Sequence, residues 1–149
     1  MLKLKFFLIL IIFFFSSNIL AEENDYFLML KYNKVNVRYG PNKDDQIKFV
    51  YKKKYLPLKV IDRKENFRKI IDHKNNNGWI HISQLKSPKS LIMMENKTLF
   101  KKNSIFSKPI IKLEKGKLVL IKKCKENWCK IKTNKITGWL RTENVWGIN

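Results

Sequence analysis

The chain has 149 residues, with 32 Lys and Arg against 12 Asp and Glu, a formal net charge of +20 at pH 7. That length holds one ordinary domain or two very small ones. The two histidines and two cysteines are scattered: no three or four cluster as a zinc site needs, no thiol stands beside a base, and catalysis finds no support.

From the N-terminus, Lys3 and Lys5 precede an unbroken apolar run from Phe6 to Phe15, and Ser16-Ser17-Asn18 breaks it before Ile19-Leu20-Ala21 and acidic Glu22-Glu23. Ten apolar residues fall short of the roughly 20 that a membrane-spanning helix needs. The pattern is that of a secretory signal peptide over residues 1–21, cleaved after Ala21, with an uncleaved anchor as the alternative. No cysteine lies near the cleavage point, so a lipid-modified terminus is not expected. The mature chain, 22–149, keeps 30 basic and 12 acidic side chains, net +18. Such a field draws polyanions and anionic surfaces. Lysine is spread along the whole chain, however, and a general compositional bias is the favoured account of the charge.

Beyond Ala21 nearly every segment has the pattern of a strand. Val35-Asn36-Val37-Arg38 alternates, and Gly40-Pro41-Asn42 marks a turn. Phe49–Tyr51, Leu56–Ile61, Phe67–Ile71 and Trp79–Ile82 are further strands, with an asparagine-rich hairpin loop over 72–78 and a helical turn at Ser83-Gln84-Leu85. A short connector over 87–90 leads into a second unit that begins at Leu91. Lys125-Glu126-Asn127-Trp128-Cys129-Lys130-Ile131 repeats Lys64-Glu65-Asn66-Phe67-Arg68-Lys69-Ile70, and each copy runs on to Gly-Trp, at Gly78-Trp79 and at Gly138-Trp139. An offset of about 60 residues is one small domain made twice. No long 3.6-residue apolar period occurs, so the fold class is all-β, two tandem small barrels after a cleaved signal peptide.

Cys124 and Cys129 are spaced for a disulfide across a hairpin, with the four residues between them as the loop and Cα atoms about 5.5 Å apart. Export permits the bridge. A redox or metal-binding pair is the alternative, though the spacing is CxxxxC and no histidine is near.

The order Val35-Asn36-Val37-Arg38-Tyr39-Gly40-Pro41, then Gly78-Trp79-Ile80, resembles the bacterial SH3-like (SH3b) domains. The resemblance covers about residues 26–149, as a first unit over 26–86 and a second over 91–149. The second departs from the pattern: around Leu99–Asn103 it has no Asn-Val-Arg and no Gly-Pro. The resemblance implies a non-catalytic binding module of the cell envelope, periplasmic or secreted, that engages peptidoglycan or another cell-wall polymer, or a peptide. The alternatives are a scaffold that docks an envelope protein, and charge-driven adhesion to anionic surfaces. No cofactor, metal, specific nucleic acid or integral membrane segment after cleavage is expected.

For the site, all five tyrosines fall between residues 26 and 55. A phenol offers a flat apolar face with a wet end. Tyr39, Tyr51 and Tyr55 are the candidate ligand contacts, with Asp44 and Asp45 placed to meet an amine. Asn36, Arg38, Gly40 and Pro41 either shape a groove or only build the turn. Trp79 and Trp139 recur at one point of both units, as core residues would, while Trp146 is placed to pack between the units.

Overall fold

The structure, a computed structural model, describes residues 25–149. The expected signal peptide, 1–21, lies outside the described residues. The first unit holds seven strands: β1 (Tyr26–Leu30), β2 (Val35–Arg38), β3 (Ile47–Tyr51), β4 (Pro57–Lys64), β5 (Phe67–Ile71), β6 (Asn77–His81) and β7 (Leu85–Lys86). The second holds seven more: β8 (Ser90–Met93), β9 (Lys97–Phe100), β10 (Pro109–Leu113), β11 (Leu118–Lys125), β12 (Trp128–Thr133), β13 (Ile136–Arg141) and β14 (Val145–Trp146). The first sheet runs β3-β2-β6-β5-β4-β1-β7 and the second β10-β9-β13-β12-β11-β8-β14. This is one permutation written twice, so the sequence repeat is also a repeat of topology. The chain is all-β in two tandem units, as expected. Each unit wraps around its own core, and Val35 and Val37 are buried in the first while Asn36 is exposed, the period of two that the alternation requires.

Several local details differ from expectation, and β9 and β10, like β1, have no counterpart among the expected strands. β1 was not foreseen, because Tyr-Phe-Leu-Met-Leu is nearly all apolar and carries little alternation. The helical turn is a 3-10 turn one residue earlier, at Ile82–Gln84. β8 takes in Ser90, which the connector was expected to contain; Ser90 is buried and pairs with Leu120.

The repeated Lys-Glu-Asn segments are tight hairpins. Lys64 pairs with Phe67 and Lys125 with Trp128, leaving two-residue turns at Glu65-Asn66 and Glu126-Asn127. Both glutamates take left-handed backbone angles, φ 47° and 51°. Cys124 and Cys129 form the expected disulfide, but the turn holds two residues rather than four. The pair flanking a two-residue turn is the hydrogen-bonded one, so the next pair outward is the closer, non-hydrogen-bonded kind. That is why the cysteine Cα atoms lie 4.0 Å apart rather than about 5.5 Å. Arg63 and Arg68 face each other at the same positions of the first unit.

Trp79 and Trp139 are not core residues. Alternation turns Gly78 and Ile80 inward, and Gly138 and Leu140 likewise, which puts each tryptophan half-buried on the outer face. The glycine is the inward residue because β2 crosses β6 at close range. A methyl group on Gly78 would overlap Val37 and sit 2.9 Å from the Arg38 carbonyl oxygen, and one on Gly138 would sit 2.9 Å from the Phe100 carbonyl oxygen. Gly78→Ala is expected to cost about 1–3 kcal/mol, the usual cost of overpacking a close contact. Thermal unfolding of the variant checks this, and an unchanged Tm would mean the strands can part freely there.

The two cores meet at a junction. Ile92 of β8 belongs to the first unit's core cluster, with Leu118 and Trp146 packed against it. The Trp146 indole N–H donates to the Pro57 carbonyl oxygen at 3.0 Å, and its ring meets Phe27 edge to face with centroids 5.2 Å apart. The Ser90 hydroxyl donates to the Tyr55 carbonyl oxygen at 2.6 Å. Trp146 thus packs between the units, as its position suggested.

Candidate ligand-binding site

Residues of β2, β5 and β6 and of the segments beside them surround an open cavity of about 400 Å³, lined by Lys34, Asn36, Arg38, Lys43, Phe67, His81, Ser83 and Gln84, with Phe67 itself buried. The strand registers explain the grouping. Arg38 lies opposite Trp79, and Phe67 opposite His81. Continuing the first register by two residues brings Asn36 level with His81. The Phe67 and His81 rings meet edge to face at 5.1 Å and give the cavity an aromatic side. His81 Nδ1 lies 2.7 Å from the Ser83 hydroxyl, which fixes the ring.

The loop over 39–46 holds the cationic rim in place. Arg38 Nη1 donates to the Asp45 carbonyl oxygen at 2.7 Å, and the Asn42 N–H donates to the Asp45 carboxylate at 2.8 Å. Gly40 leaves the room that this carboxylate fills; a methyl group there would overlap it. Among the described residues Lys34, Arg38 and Lys43 line the cavity and no carboxylate does, so its field favours an anion. Arg38 offers a planar fork that suits a carboxylate.

None of Tyr39, Asp44, Asp45, Tyr51 and Tyr55 lines this cavity, and they do not converge elsewhere. Tyr39 is 62% exposed, with the Lys48 ammonium 5.6 Å from its ring. Tyr51 lies at the far end of the β2–β3 ribbon, opposite Val35, and its hydroxyl donates to Asp72 at 2.9 Å. Tyr55 lies under the ammonium groups of Lys54 and Lys86, at 5.0 and 4.5 Å, and near the junction. Asp45 holds its own loop, while Asp44 is exposed on it. Sequence reasoning gave the cavity too little weight, yet its signal was there: if Val35 and Val37 point inward, Asn36 and Arg38 must point out.

The second unit is built otherwise at the same place. Trp139 lies opposite Phe100, as Trp79 lies opposite Arg38. Phe100 packs edge to face on Trp128, the counterpart of Phe67, at 5.8 Å. Arg141, the counterpart of His81, is ion-paired with Glu143. An aromatic pair thus stands where the first unit presents an arginine. No group of three or more His, Cys, Asp and Glu among the described residues is arranged to hold a metal ion, and no helix among them is long and apolar enough to cross a membrane.

The bacterial SH3 domain model matches the chain twice, over residues 31–87 and 106–147. The chain belongs to the bacterial SH3 domain family. The two matches fall on the two sheets, so the fold is a pair of tandem SH3-like units, and the family is one of binding domains, typically of cell-wall components. No curated protein matches the chain. Among solved structures, NlpC2 from Trichomonas vaginalis is similar at a TM-score of 0.39 and 12% identity, over 84% of this chain and 49% of that one. NlpC1 from the same organism gives 0.38 and 11%, over 84% and 46%. The chain therefore spans about half the length of these two neighbours. The SH3 family and the disulfide are both compatible with an extracytoplasmic protein.

Proposed function

We propose that the chain is a non-catalytic envelope-binding protein whose first SH3 unit takes an anionic group of the cell wall, a carboxylate of a wall peptide, in the cavity between β2 and β6. The observation that carries this reading is the ring of Lys34, Arg38 and Lys43 around a cavity with an aromatic side, with no carboxylate among the described lining residues. Arg38 would grip the carboxylate, the two lysines would steer it in, and Phe67 with His81 would support the apolar remainder of the ligand. The second unit, with Phe100 at the place of Arg38, would not bind the same group and would serve as the structural partner of the first. An exported, periplasmic or secreted location goes with this reading.

The test is co-sedimentation of residues 22–149 with insoluble peptidoglycan across a salt series. Arg38→Ala is expected to weaken binding about tenfold, the loss of one charge-assisted hydrogen bond. Because Arg38 also holds the 39–46 loop, Lys34→Gln serves as a second variant, expected to weaken binding with an unchanged Tm. Tyr39→Ala and Tyr55→Ala separate the alternatives. If they abolish binding while Arg38→Ala and Lys34→Gln do not, the ligand lies on the tyrosine side and the cavity reading fails.

A further inference from the structure

The loop between β9 and β10 has the frame of the loop between β2 and β3 and the opposite chemistry. Each has eight residues, 39–46 and 101–108. Each is closed by a hydrogen bond between its end residues, Tyr39 N–H to the Gln46 carbonyl oxygen at 3.1 Å and Lys101 N–H to the Lys108 carbonyl oxygen at 3.0 Å. Each is braced from within by the side chain next to its end: Asp45 accepts from Asn42 N–H at 2.8 Å, and Ser107 Oγ accepts from Lys102 N–H at 2.9 Å. The first loop carries Asp44 and Asp45. The second is Lys-Lys-Asn-Ser-Ile-Phe-Ser-Lys, and residues 96–113 as a whole hold five lysines and no acidic residue.

At its tip Phe106 is 93% exposed and Ile105 54% exposed. These are not slack side chains on a slack loop. Ser104 accepts from the Phe106 N–H through its hydroxyl and from the Ser107 N–H through its carbonyl, at 3.2 and 3.1 Å, which holds the tip in one shape. Lys101, Lys102 and Lys108 line an open hollow of about 380 Å³ beside Phe106. Ile110 and Ile111, 43% and 40% exposed, continue the apolar surface along β10, an edge strand. The aromatic tip protrudes, with three lysines of the same loop around it. It matches a fluid apolar layer beneath a negatively charged surface.

We infer that the tip of the 101–108 loop is a membrane-surface anchor: Phe106 and Ile105 enter the acyl boundary of an anionic bilayer while Lys101, Lys102 and Lys108 lie against its phosphate headgroups. This is independent of the cavity on the first unit, which faces a different ligand with different residues.

Every strand and both cores lie between Tyr26 and Trp146, so residues 22–149 carry the whole described fold and serve as the test protein. It is sedimented with vesicles of phosphatidylglycerol and phosphatidylcholine in equal parts, and with vesicles of phosphatidylcholine alone, at about 0.1 M salt, where charges still act over about 10 Å. Binding to the anionic vesicles only is expected. Phe106→Ser is expected to lower the partition coefficient about tenfold to a hundredfold, the burial of one large apolar side chain, with the Tm unchanged. Ile47→Ser, an exposed apolar residue of the first unit, should leave it unaltered. Phe106→Trp should add a blue-shifted emission on anionic vesicles. If Phe106→Ser partitions like the parent chain, attraction rests on net charge alone and the anchor is refuted. Equal binding to both vesicle types, or none to either, overturns it too.

Discussion

Replacing Trp146 with alanine is expected to cost about 2–4 kcal/mol, at or a little below the range for deleting a large core aromatic because the ring is only half-buried. The indole is shared between the SH3 units. It packs on Phe27, donates to Pro57 at 3.0 Å across 89 positions of sequence, and its strand pairs with β8 beside Ile92. Truncation leaves a void at the junction and a carbonyl without its donor. Units of about 60 residues are marginal alone, so loss of the shared ring should also uncouple them. Calorimetry is expected to show one transition for the parent chain and two for Trp146→Ala. Trp146→Phe keeps most of the packing and loses the hydrogen bond, and about 1 kcal/mol is expected. A single transition at an unchanged Tm in Trp146→Ala would show that the indole does not join the units.

The second large effect lies at Asp72, which is buried in the loop between β5 and β6. Its carboxylate accepts from the backbone N–H groups of Lys74 and Asn76 and from the side chains of Asn76 and Tyr51, all within 2.8–2.9 Å. Asp72→Ala strands these donors, and a loss of about 3 kcal/mol is expected. Burial pushes the carboxyl up, but the donors from Asn76, Lys74 and Tyr51 together outweigh it and hold the group below its ordinary range. A carboxyl held low in the fold contributes stability that is present above its unfolded pKa, near 4, and is lost as the pH falls through the folded value. Tyr51 is the mirror case: burial first, then the charge and hydrogen bond of Asp72, push its hydroxyl far above the usual 10. Its contribution is present below pH 10 and is lost as the pH rises beyond that. Burial also holds the His73 imidazole low, so stability begins to fall below its unfolded pKa, near 6.5, and falls further as Asp72 takes up its proton. Denaturant titrations across pH should therefore give a plateau between about pH 7 and pH 10. Asp72→Asn should flatten the acid side and Tyr51→Phe the alkaline side. An acid side as steep in Asp72→Asn as in the parent would place the effect on other carboxylates.

Strands such as β2 and the bridge were legible because each rests on a local rule. Val35 and Val37 alternate with polar neighbours, and Cys124 and Cys129 bracket a tight turn, so four to six consecutive residues carry the answer. The Trp79 and Trp139 error came from weighing residue type above period: a tryptophan suits a core, but its neighbour Ile80 or Leu140 took the inward position and the strand could not turn both in. The cavity was harder, since Arg38, Phe67, His81 and Lys43 come from separate segments and only the sheet order β2-β6-β5 brings them together. Asp72 stands in an asparagine-rich loop that looks like any other hairpin turn; that it accepts four hydrogen bonds depends on Tyr51, 21 positions away. Placing the tyrosines together followed from their clustering in sequence, and a β-ribbon separates residues that the chain keeps close.

The junction also sets an order of events. A chain is made from its N-terminal end, and small units begin to fold as they emerge. β1 to β7 are complete by Lys86, so the first sheet can close while the second is still being made. Its Phe27 edge and Pro57 carbonyl must then wait for Trp146, in the last strand to appear. Through that interval the nascent first unit presents an unfinished apolar seam at Phe27 and Pro57, which closes only when β14 reaches it.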